Sequence, residues 1–102
     1  MNDMQQIILD IEKLTLEAGE ERLIRGISLK LERGKFTGLV GESGSGKTLT
    51  ALSVLRLLPP AVRRTEGTIR FYPTEGKTVD LASLREKKLN HIRGHKISMI
   101  FQ

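Results

Sequence analysis

Gly41-Glu42-Ser43-Gly44-Ser45-Gly46-Lys47-Thr48 decides how this 102-residue chain is read. The run satisfies G-x-x-x-x-G-K-[ST] at every position, and each position has a physical reason. Glycines let consecutive backbone N–H groups turn inward around the oxygens of an anion. A helix opening near Gly46 adds the positive end of its dipole. Lys47 brings a point charge suited to β- and γ-phosphates, and Thr48 brings a hydroxyl suited to Mg²⁺. Such a loop should follow a buried strand and open a helix. Upstream, Phe36-Thr37-Gly38-Leu39-Val40 is short and uncharged, as a buried strand requires. Downstream, residues 47–58 carry Leu49, Ala51, Leu52, Val54, Leu55, Leu57 and Leu58, which predicts a buried helix stopped by Pro59-Pro60.

Working outward, Ile7, Leu9 and Ile11 alternate, Leu14 and Leu16 extend the run, and Ala18-Gly19-Glu20-Glu21 reads as a turn. Ile27, Leu29 and Leu31 alternate again, predicting an antiparallel pair of strands that breaks at Glu32-Arg33-Gly34. On the other side, Thr68-Ile69-Arg70-Phe71-Tyr72 predicts a strand and Pro73-Thr74-Glu75-Gly76 a turn. Ser83 and Glu86 have capping-box spacing, so a helix is expected to start there. Leu84, Leu89 and Ile92 lie on its apolar face, and Gly94 closes it. Ile97-Ser98-Met99-Ile100-Phe101 predicts a last strand ending at Gln102. The expected fold class is α/β: an antiparallel hairpin region plus the phosphate-loop strand and helix.

Composition narrows the function. With 38% hydrophobic residues the chain can build a modest core, and having no Cys it has no thiol catalysis, zinc-finger or Fe–S ligation. No apolar run approaches a membrane span, and the first residues lack a leader pattern, so a cytoplasmic chain is expected. The net charge of +5 is uneven: residues 1–33 hold 7 acids and 5 bases, residues 34–102 hold 5 acids and 12 bases. Basic residues without interleaved aromatics do not make a nucleic-acid platform, so no nucleic-acid partner is expected. Arg63-Arg64 and Lys87-Lys88 read as solvated faces, with docking to membrane subunits or lipid headgroups as the alternative. His91 and His95 stand four apart, but Gly94 separates them and no carboxylate or thiol adjoins, so they read as surface histidines rather than metal ligands.

The form Gly-Glu-Ser-Gly-Ser-Gly-Lys-Thr resembles the phosphate loop of ATP-binding-cassette (ABC) transporter ATPases, within the P-loop NTPase fold. Arg93-Gly94-His95-Lys96-Ile97-Ser98-Met99-Ile100-Phe101-Gln102 resembles the segment leading into that family's Q-loop. The stretch Leu57-Leu58-Pro59-Pro60-Ala61-Val62-Arg63-Arg64-Thr65-Glu66-Gly67 is similar to the peptide and nickel importers. So is Leu49, where many other ABC ATPases carry a second hydroxyl. The resemblance covers nearly the whole chain and implies that residues 1–102 are the N-terminal portion of one ATPase domain.

That resemblance also implies ATP and Mg²⁺ as cofactors, and transmembrane permease subunits and a second ATPase subunit as partners. The place would be the inner face of the membrane. It implies nucleotide contacts from Gly41, Glu42, Ser43, Gly44, Ser45, Gly46, Lys47, Thr48 and Leu49, with Glu42 facing solvent. Catalysis would involve Lys47 and Gln102, and Mg²⁺ would be held by Thr48 and Gln102. One departure is visible. Members stack adenine on an aromatic residue of the first hairpin, where Ala18 stands here, and no aromatic residue precedes Phe36. The 102 residues contain no signature motif, no apolar strand ending in Asp-Glu and no switch histidine. Hydrolysis by them alone is not expected, and the helix at 47–58 is expected to be poorly covered. Two other readings stay open: a remnant that binds nucleotide at most or only interacts, and an unrelated small-molecule kinase.

Overall fold

The computed structural model describes residues 6–35, 46–74 and 77–99. Six elements follow in order: β1 Ile7–Ala18, β2 Glu21–Glu32, α1 Lys47–Val54, β3 Val62–Phe71, β4 Val79–Asp80 and α2 Glu86–Ile92. The strands form one antiparallel sheet in the order β2-β1-β3-β4. With the two helices this agrees with the α/β class. The expected strand at 36–40 and loop residues Gly41, Glu42, Ser43, Gly44 and Ser45 lie outside the described residues, as does Gln102.

The expected hairpin is present and continuous. Ala18 pairs with Glu21 across Gly19-Glu20, and Gly19 takes φ 62°. A two-residue loop matching the twist of its strands needs a positive φ there. The apolar run changes phase between Ile11 and Leu14, and β1 absorbs the change. Its register steps from Ile11↔Leu29 to Leu14↔Ile27 and from Glu12↔Thr68 to Thr15↔Glu66, one extra residue against each neighbour. The extra residue sits at Lys13, whose φ is 51°. This bulge keeps Leu14 and Leu16 in the same core as Leu9 and Ile11. Gly67 on β3 lies against the bulge: a Cβ there would stand 2.6 Å from both the Leu14 Cα and the Lys13 carbonyl oxygen. Only glycine allows that approach at φ 101°.

The core joins sheet and helices. Ile11, Leu14, Leu16, Ile69, Leu81 and Leu89 are fully buried, and each such side chain is worth about 1.5–3 kcal/mol of transfer free energy. Val54 of α1 and Ile92 of α2 join the same cluster.

Four expectations are corrected. The helix predicted over 47–58 ends at Val54, well before Pro59. Leu57 N–H donates to the Leu52 carbonyl and Arg56 N–H to the Ser53 carbonyl, and Arg56 takes φ 54°. This is the Schellman arrangement, with an arginine where glycine is usual. The strand predicted from Thr68 begins at Val62, because pairing with β1 extends to Ala18↔Val62. The capping box at Ser83 does not form. Asp80 draws the Ala82 and Ser83 N–H groups into a turn, so α2 starts at Glu86 with Arg85 as its cap residue. Finally, of the strand expected over 97–101, residues 97–99 are not strand: Ile97 makes one isolated bridge with Arg93, and residues 100–101 lie outside the described residues. Apolar alternation alone does not make a strand, which needs a ladder. Gly94 ends α2 as expected, at φ 78°. Thr50, Ser53 and Val54 are the buried residues of α1, Leu55 just beyond it is buried too, and Leu57 is 43% exposed.

Candidate nucleotide site at the start of the first helix

Gly46 is the cap residue of α1 and takes φ 94°, ψ 6°. That backbone belongs to the left-handed region, where a side chain is strained. A Cβ at Gly46 would also stand 3.0 Å from Cγ1 and 3.2 Å from Cδ1 of Ile24. Glycine is therefore favoured by conformation, and a Cβ would in addition press on the Ile24 side chain of the hairpin. The Gly46 carbonyl accepts the first helical hydrogen bond from Thr50 N–H at 2.9 Å.

The first turn of an α-helix has N–H groups that no earlier carbonyl can satisfy. The cap residue Gly46 has no side chain to offer them, and no acidic residue lies in the first turn. The positive end of a helix dipole favours an anion at such a place. Lys47 is half-buried at the first helical position, Thr48 is exposed, and Leu49 packs against the core cluster. A hydroxyl and an ammonium leave the helix at its positive end while the next side chain anchors it.

A hollow of about 320 Å³ lies between β1, β2 and α1 and is lined mainly by aliphatic side chains such as Leu9, Ile11, Leu29 and Val54. Its chemistry suits packing rather than phosphates. Ala18 ends β1 half-buried, in the hairpin whose Ile24 touches Gly46, and it offers no ring. Phe71 is in the core and Tyr72 is half-buried, so neither forms an exposed platform. His91 is exposed in the last turn of α2, and His95 is exposed beyond Gly94. Arg63, Arg64, Lys87 and Lys88 are all exposed.

One feature had no sequence signal. Arg56 and Arg93 both reach Glu86, at 3.0 and 2.7 Å. Their hydrogen bonds hold the Glu86 carboxyl below its ordinary pKa, Arg93 more than Arg56. Nothing about their spacing in sequence announces the contact.

A family model described as ABC transporter matches residues 24–102. The chain belongs to this family. Relatives of this ABC transporter family chain include the uncharacterized ABC transporter ATP-binding protein YejF of Escherichia coli strain K12, 45% identical over 97% of the chain and 19% of its own length. The probable D,D-dipeptide transport ATP-binding protein DdpD of the same organism is 41% identical over 97% of the chain and 30% of its own length. The oligopeptide transport ATP-binding protein OppD of Bacillus subtilis strain 168 is 39% identical over 93% of the chain and 26% of its own length. The chain thus spans less than a third of each of these relatives. Among the described residues, no helix is long and apolar enough to cross a membrane.

Proposed function

We propose that this chain binds MgATP through residues 41–48 and is the N-terminal portion of an ATPase domain that energises import of di- or oligopeptides. The observation that carries the reading is a left-handed Gly46 opening a helix at Lys47 and Thr48, inside a complete G-x-x-x-x-G-K-[ST] run. Gly41, Glu42, Ser43, Gly44, Ser45 and Gly46 would supply backbone N–H groups to the phosphates. The N–H groups of Lys47, Thr48 and Leu49 would continue that cradle into the helix. The Lys47 ammonium would neutralise β- and γ-oxygens, and Glu42 would face solvent.

Mg²⁺ suits the donors offered here, because it favours hydroxyl, phosphate and water oxygens. Thr48 presents an exposed hydroxyl at the mouth of the loop, and Gln102 is assigned as a second contact to the metal and to attacking water. The ion would supply positive charge to the bridging phosphates. The protein's own part is to orient the phosphates and exclude alternative geometries. Names of relatives such as DdpD and OppD favour a peptide cargo; nickel rests on the sequence resemblance alone. Permease subunits and a second ATPase subunit would be the partners, at the cytoplasmic face of the membrane.

Calorimetric titration of the purified full chain with MgATP tests the reading. Saturable binding is expected, and it should be lost in Lys47→Ala. Equal affinity in the two would overturn the site. Saturable binding without turnover would leave a nucleotide-binding module with no hydrolytic role.

A further inference from the structure

Two arginines from distant parts of the chain exchange caps around one carboxylate. The Arg56 guanidinium donates to the carbonyls of Leu81 and Leu84, just before α2, and to Glu86 Oε2 at 3.0 Å. The Arg93 guanidinium donates back to the carbonyls at the end of α1: Leu55 at 2.8 Å and Arg56 at 3.4 Å. It also donates to Glu86 Oε1 at 2.7 Å and to Asn90 Oδ1 at 3.2 Å. Glu86 is the sole acid between residues 81 and 99, and both its oxygens are taken. Isolated surface ion pairs contribute little. This one is different in kind, because each guanidinium also donates to backbone carbonyls, Arg93 to those at the end of α1 and Arg56 to those of the turn before α2.

The backbone points the same way. Arg56 occupies the left-handed position of a helix stop, at φ 54°. Glycine adopts that conformation without strain. A stop alone would be served better by glycine, so the arginine is held there for its guanidinium.

We infer that Arg56, Glu86 and Arg93 form a clamp through which the position of α1 fixes the position of the segment that follows α2. The inference rests on the phosphate-site reading above. α1 is a rod of eight residues, about 12 Å long, with Lys47 at one end and the Arg93 contacts at the other. Beyond Arg93 the chain folds tightly back, with His95, Lys96 and Ile97 N–H groups all converging on the Ile92 carbonyl. Displacement of α1 by a bound phosphate is therefore passed through the Leu55 and Arg56 carbonyls to Arg93, and on to residues 97–99. The three residues are positioning residues. They hold no ligand themselves.

The chain contains no cysteine, so Ser98→Cys, at an exposed site, gives a reporter on the segment beyond the clamp. The reporter is placed in the full chain and labelled with a maleimide, with and without Mg²⁺ and the β,γ-imido analogue of ATP. The analogue should change the labelling rate about threefold or more, a coupling at the lower end of the usual allosteric range. In Arg93→Lys and in Glu86→Gln, affinity for the analogue should stay within about twofold, since their contacts lie at the opposite end of α1 from Lys47, while the labelling response disappears. Arg93→Lys keeps the charge and loses the fork, and Glu86→Gln changes an exposed side chain, so neither needs the fold to rearrange. A labelling response that survives both changes overturns the clamp. So does intact binding with no response in the parent reporter. Failure of the analogue to bind in every background would overturn the nucleotide reading itself.

Discussion

The two ends of α1 use the same backbone device for opposite purposes. Each is flanked by a left-handed residue, Gly46 at φ 94° and Arg56 at φ 54°. At the first end the residue is glycine, and the first turn carries no acid. At the other end the carbonyls of Leu52, Ser53, Leu55 and Arg56 all receive donors, two from backbone and two from Arg93. The first end is shaped by a residue without a side chain and adjoins the proposed phosphate site. The other is held by a long side chain and its partners. A left-handed residue can therefore start a helix by bareness or stop one by reach.

The strongest way to break this contrast is at the end that begins with Gly46. Lys47→Ala removes a charge-assisted contact worth about 2–3 kcal/mol, so nucleotide affinity should fall about 100-fold by calorimetry, with the melting temperature little changed. Gly46→Ala strikes the same end through the backbone. The left-handed strain and the contact with Ile24 should together lower stability by about 1–2 kcal/mol in urea unfolding and weaken nucleotide binding as well. A Gly46→Ala protein of full stability would show that the loop's last glycine is not conformationally required.

The other end is sharpened by comparing two changes at one position. Arg56→Ala and Arg56→Gly lose the same guanidinium, but only alanine retains a Cβ in the left-handed region. The glycine variant should be the more stable by about 1 kcal/mol. Equal stability would remove the strain from the account. The smallest effect is one of pH. Arg93 and Arg56 hold the Glu86 carboxylate ionised by hydrogen bonding. Its contribution is complete above the ordinary carboxylate range and is lost as pH falls through the lowered value. Between about pH 6 and pH 3, the melting temperature of the parent should decline slightly more than that of Glu86→Gln. Identical declines would mean that the clamp adds nothing to stability.

Much of the sheet was legible because it obeys one rule at a time. Ile7, Leu9 and Ile11 on one parity and Leu14 and Leu16 on the other give β1, and the change of parity is itself the trace of the bulge at Lys13. Gly46 and Lys47 were legible because the phosphate pattern states its geometry. Legibility failed where tertiary partners decide. Val62-Arg63-Arg64-Thr65-Glu66 has no alternation, since that half of β3 is held by its ladder to β1 and is largely exposed. β4 has two residues, too few to show a period. The spacing of Ser83 and Glu86 fits a capping box, but Asp80 competes successfully for the N–H groups of that turn. The end of α1 was misplaced because Pro59-Pro60 is a visible stop, whereas Arg56 becomes one only through its contacts with Leu81, Leu84 and Glu86.

The fit of Gly67 against the bulge in β1 has a consequence for how the sheet assembles. A sliding strand meets many nearly equal pairings if its surface is regular. Here β1 protrudes at Lys13 against Gly67 of β3, and a Cβ beside the protrusion would overlap Leu14 Cα and the Lys13 carbonyl oxygen. Moving either strand by a residue sets Glu66 or Thr68 in place of Gly67 and drives a side chain into backbone. The two strands therefore work as a key and its ward: mispaired sheets are excluded by shape before any side chain has packed.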